Sequence, residues 1–92
     1  PTFKSLIIEA IKHLTQNSEY SKLQEIGDYV SKRIQDEKLD FNLTNFRANI
    51  RGAIYDDLVG FDNVYNKGLY ETKGKYTGLF KFTEYGKQYR GR

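Results

Sequence analysis

Three stretches of this chain repeat their apolar residues at helical spacing, and the repetition stops at Phe61. Phe3, Leu6, Ile7, Ala10, Ile11 and Leu14 fall at i, i+3, i+4 and i+7, which gathers them on one side of a helix. Thr2 is placed to cap it, and the Gln-Asn-Ser stretch at 16–18 competes for backbone hydrogen bonds and ends it. Leu23, Ile26, Val30 and Ile34 form a second stripe, with Ser21 and Gln24 in capping-box register and Gly27 beside the stripe, where a neighbouring helix could approach. Phe46, Ile50, Ala53, Ile54 and Leu58 form a third, started by Asn42 or Thr44 and stopped by Gly60. The spacing predicts helices over about 3–16, 21–36 and 44–59.

After Phe61 the texture becomes aromatic and is punctuated by glycine. Tyr70 alternates with Thr72, and Phe80 with Phe82, which reads as two strands of a hairpin over about 68–83. Gly74 and Gly78 are the natural suppliers of positive φ at its tip. Thr83 marks a strand end or a cap, and Glu84 onward a short turn with a basic tail. A chain of 92 residues falls just below the roughly 100 to 150 typical of one domain, and no proline-rich linker divides it, so residues 1–92 read as a single unit. Three helices followed by a C-terminal β-hairpin make an α+β domain with the element order of a winged helix-turn-helix.

Charge separates along the same boundary. Residues 1–42 carry six Lys/Arg against seven Asp/Glu, and residues 43–66 two against three. Residues 67–92 carry Lys67, Lys73, Lys75, Lys81, Lys87, Arg90 and Arg92 against Glu71 and Glu84, a local net charge of +5 within an overall +3. Such a concentration is the electrostatic footprint of a polyanion binder, although a solubilising tail has the same composition.

The phrase Phe46-Arg-Ala-Asn-Ile-Arg-Gly-Ala-Ile-Tyr-Asp-Asp-Leu58, followed by Gly78-Leu-Phe-Lys-Phe-Thr-Glu-Tyr-Gly86, resembles the winged-helix domains attached to bacterial restriction endonucleases, the Mrr-type N-terminal domain above all. The shared signature is an aliphatic-Arg pair in the third helix and a last strand ending in aromatic-x-hydrophobic-Thr-x-x-Gly, here Phe80, Phe82, Thr83 and Gly86. Many winged-helix regulators end in the same way. The resemblance implies binding of double-stranded DNA, either as the targeting domain of a restriction-type protein, with a nuclease domain on the same full-length chain, or as a small transcriptional regulator. The tyrosine-rich stretch between the third helix and the last strand departs from the family pattern.

In helix-turn-helix proteins the last helix before the wing enters the major groove. Its outward residues here would be Asn45, Arg47, Asn49, Arg51 and Tyr55, with small Ala48 and Gly52 between them and no acid before Asp56. Arg can donate twice to guanine, and Asn can donate to and accept from adenine. Arg51 could instead face a phosphate or Asp57. Lys73 and Lys75 bracket the expected wing tip beside Tyr76, with Lys67 and Lys81 nearby in sequence, and lysines on a projecting hairpin neutralise phosphates without reading bases. Ser21 and Lys22, at the expected start of the second helix, could hold a phosphate at the helix dipole, though capping explains Ser21 equally well. Tyr65, Tyr70 and Tyr76 also suit stacking on unpaired bases.

Other classes find little footing. Cysteine is absent and His13 is the sole histidine, so neither a typical zinc site nor a nucleophile-base triad has its parts. Asp62 followed by Glu71-Thr72-Lys73 mimics the spacing of a Mg²⁺ nuclease site, but that core needs a larger sheet. No catalysis, cofactor or metal is expected. No apolar run approaches the ~20 residues that span a bilayer, and a cytoplasmic location is expected. A docking or dimerisation module is the remaining alternative, with the first helix offering a surface for a two-fold homodimer.

Overall fold

A computed structural model describes residues 1–90; Arg92 of the basic tail lies outside the described residues. The order of elements is α1 (Phe3–Leu14), β1 (Ser21–Lys22), α2 (Leu23–Asp36), α3 (Phe46–Asp56), β2 (Tyr70–Thr72), β3 (Leu79–Phe82) and α4 (Glu84–Gln88). The fold is α+β, with four helices packed beside a small antiparallel sheet of strand order β1-β3-β2.

The helical stripes read from the sequence become the core. Leu6, Ile7, Ala10 and Ile11 of α1, Ile26, Val30 and Ile34 of α2, and Ile50 and Ile54 of α3 are buried together with Leu58, Leu69, Tyr70 and Phe80. Burying a side chain of this kind contributes about 1.5–3 kcal/mol, so these positions dominate stability. Thr2 and Ser5 form a reciprocal capping box, with the Ser5 amide donating to Thr2 Oγ1 over 3.0 Å and the Thr2 amide to Ser5 Oγ over 2.9 Å. Arg33 bridges Glu9 and Glu37, which ties α2 to α1.

Several boundaries differ from expectation for local reasons. α1 ends at Leu14, where the Thr15 hydroxyl turns back onto the Ile11 carbonyl at 2.7 Å. Ser21 does not cap α2. It sits in β1 opposite Phe80, fully enclosed, and its hydroxyl donates to the Phe80 carbonyl over 2.8 Å. α2 therefore starts at Leu23, whose amide is satisfied by the Gly78 carbonyl at 2.8 Å. α3 starts at Phe46 because Asn45 is left-handed, with φ 54°, and it stops at Asp56. Beyond it Leu58 and Val59 are drawn into pairing with Tyr70. Gly60, the expected stop, is left-handed with φ 89° but lies four residues beyond the end of α3, so it shapes the following turn and does not end the helix. Gly27 is not a point of close helix contact: a Cβ there would meet nothing within 4 Å.

The hairpin also departs from the glycine rule. Gly78 takes a positive φ of 68°, but the second left-handed position is Tyr76, φ 60°, and not Gly74. After β3, Thr83 caps α4 by accepting from the Gly86 amide at 2.9 Å, and its hydroxyl donates to the Gly68 carbonyl at 2.6 Å. No helix among the described residues is long and apolar enough to cross a membrane.

Candidate nucleic-acid interface

α3 buries Ile50 and Ile54 and consequently turns Asn45, Arg47, Ala48, Asn49, Arg51 and Gly52 outward. The polar side chains do not all point the same way. Arg47 leans towards α2 and donates to Gln24 Oε1 over 2.6 Å, across a narrow groove of about 130 Å³ floored by Leu23, Gly27 and Ile50. Asn49 donates to the Thr44 carbonyl at 3.1 Å and faces a second hollow beside Phe3, Phe41 and Asn42. Asn45 holds the N-cap position without a side-chain cap bond.

Arg51 takes a different course. Its guanidinium lies over the ring of Tyr55, 4.7 Å from the centroid, with Nη2 3.5 Å from the hydroxyl. Tyr55 in turn meets Phe61 edge-on at 5.5 Å and Phe80 at 6.1 Å. Asp57, considered above as a partner for Arg51, is buried and accepts instead from the Lys67 amide at 3.1 Å.

The hairpin tip comes close to this cluster. A concavity of about 450 Å³ is lined by Ala48, Arg51, Gly52, Tyr55, Phe61 and Tyr76, so the outward side of α3 and the hairpin tip share one surface. The tip is tied by threonines, with Thr72 Oγ1 donating to the Gly74 carbonyl at 2.7 Å and Thr77 Oγ1 to the same oxygen at 3.1 Å. Lys75 and Tyr76 are exposed on it, and no carboxylate lies within salt-bridge distance of Lys75 among the described residues.

The other hairpin lysines sit elsewhere. Strand alternation places Glu71, Lys73 and Lys81 on the sheet face opposite Phe80, where the ring of Tyr20 lies 5.9 Å from Lys73 Nζ and 5.0 Å from Lys81 Nζ. Lys81 donates to Glu19 at 3.0 Å, and that hydrogen bond raises its pKa above the ordinary lysine value. Lys81 is therefore engaged, beside a hollow of about 530 Å³ between α1, β3 and α4. Lys22 and Lys67 are exposed outside the α3 concavity. Ser21 is enclosed and cannot touch a phosphate, which corrects the sequence expectation.

Compared with known protein families, curated proteins and solved structures, the chain matches none of them.

Of the residues singled out by sequence, the structure gathers Arg51, Tyr55 and Tyr76 into one concavity, with Lys75 next to Tyr76 in the turn at the hairpin tip. Phe61 joins them without a sequence signal beyond being an aromatic directly after a left-handed glycine, Gly60. Tyr70 is 2% exposed and stacks on Phe82 at 5.8 Å, so it cannot stack on a base. The Asp62 and Glu71 carboxylates belong to no metal-holding cluster, since no group of three or more His, Asp or Glu residues is placed to share an ion among the described residues.

Proposed function

We propose that this domain is a winged helix-turn-helix that binds double-stranded DNA, with α3 in the major groove and the hairpin tip on the adjacent backbone. The order α1-β1-α2-α3-β2-β3, with β1 added to the outer side of β3, supports the winged-helix reading. The observation that carries the functional reading is the shared concavity, because a helix and a cationic hairpin can grip one duplex only from the same side. On this reading Arg51 meets a base and Lys75 a phosphate, Lys75 being exposed on the hairpin tip with no carboxylate within salt-bridge distance among the described residues. The likeness to restriction-enzyme domains favours a targeting role within a longer protein, joined to a nuclease domain.

Fluorescence anisotropy with a random duplex over a range of salt concentrations tests this. Binding at about 50 mM salt is expected, with Lys75→Ala lowering the log-log salt slope by about 1, as one lost phosphate contact does. Lys81→Ala should leave the slope unchanged, because its ammonium is held by Glu19. A chain that ignores duplex DNA at that salt concentration is not a DNA-binding domain of this kind.

A further inference from the structure

We infer that the concavity between α3 and the hairpin tip receives a single unpaired nucleobase, so that the preferred ligand is duplex DNA carrying an extruded or bulged base. The inference rests on the DNA-binding reading and adds its substrate class. Three aromatic rings, Tyr55, Phe61 and Tyr76, line the cavity, and the Arg51 guanidinium lies over one of them, 4.7 Å from the Tyr55 centroid. The floor is Ala48 and Gly52, which leaves the helix backbone open to a flat ligand. Among the described residues no carboxylate lines it. Aromatic faces joined to a guanidinium plane are the means by which unstacked bases are held, and a base still within its stack cannot present either face.

Packing within the fold does not explain these residues. Gly52 lies mid-helix, where glycine costs up to about 1 kcal/mol relative to alanine, yet a Cβ there would meet nothing within 4 Å. Tyr76 is 85% exposed and holds a left-handed backbone, φ 60°, that costs a side-chain-bearing residue about 1–2 kcal/mol. Phe61 is 45% exposed although Tyr55 is beside it. Each of the three departs from what stability alone would select, and all three border the same space.

The test compares two labelled duplexes, fully paired and identical except for one bulged 2-aminopurine. The wild-type chain should bind the bulged duplex roughly 5- to 150-fold more tightly, the range expected from one base stacked on aromatics, and should change the 2-aminopurine emission. Tyr76→Ala should bring the ratio of the two affinities close to one, and Phe61→Ala should do the same while far-ultraviolet circular dichroism verifies that it is folded. Equal affinities in the wild type, or a preference that survives Tyr76→Ala, would overturn the inference and leave duplex binding standing. Binding to neither duplex would overturn both readings, and an aromatic peptide captured in their place would reassign the cavity to protein recognition.

Discussion

Gly86 is packed so closely on Leu69 that a Cβ at Gly86 would lie 2.0 Å from the Leu69 carbonyl oxygen and 2.9 Å from its carbon. The same turn is held by Thr83, whose hydroxyl accepts from the Gly86 amide and donates to the Gly68 carbonyl. The Thr-x-x-Gly ending is thus a physical unit: threonine caps α4 and bonds the strand entry, while glycine lets the helix settle on that strand. It is a device of the fold and has no contact with the concavity at α3.

Gly86→Ala should therefore destabilise the domain by about 3 kcal/mol, the upper end for overpacking, because the clash is with backbone that cannot rotate away. For a domain of this size that corresponds to a fall of roughly 12–24 °C in Tm. Thermal melts followed by circular dichroism measure it, and a loss below about 1 kcal/mol would mean that α4 does not rest on Leu69 as described.

Gly52→Ala should act in opposite directions on stability and binding. Alanine raises helix propensity by up to about 1 kcal/mol, and nothing stands within 4 Å of the new methyl group, so Tm should rise by a few degrees. DNA affinity should fall, since the methyl group enters the floor shared by Ala48, Arg51 and Tyr55. A stabilised variant that binds DNA as well as the wild type would show that α3 makes no close approach to the ligand through Gly52.

Tyr70 sets an alkaline limit. Burial, reinforced by the neighbouring Asp57 carboxylate, raises its phenol pKa well above the ordinary 10.0. The folded state thus retains a proton that the unfolded chain releases, and the associated stability is present below pH 10 and is lost as pH rises above it towards the folded value. Each pH unit in that window removes about 1.4 kcal/mol through this group alone. Urea midpoints at pH 9 and pH 11 should fall further for the wild type than for Tyr70→Phe, in which the lysines still titrate but the buried phenol does not. Parallel losses in the two proteins would place the proton-linked change elsewhere.

Much of the architecture was readable along the chain. The three apolar stripes became the buried faces of α1, α2 and α3, and the side chains of Thr2 and Thr83 cap α1 and α4, whereas α3 ends four residues short of Gly60. The candidate site was only partly readable. Arg51 and Tyr55 could be placed on the outward face of α3 by helical geometry, but Phe61 and Tyr76 join them only through the return of the hairpin. Ser21 carries a local capping signal, Ser-x-x-Gln, but its actual partner is the Phe80 carbonyl, 59 residues away.

What the chain determined unaided was which side of each helix would be buried, because a helix repeats every 3.6 residues and its apolar stripe is written within a dozen consecutive positions. Tertiary structure decided how the cations were divided: Lys81 and Lys73 over Tyr20 on one side of the sheet, Lys75 with Tyr76 at the tip beside α3. A strand residue acquires its side and its neighbours from register with strands distant in sequence, and no local pattern in a two-residue strand such as β1 encodes that register.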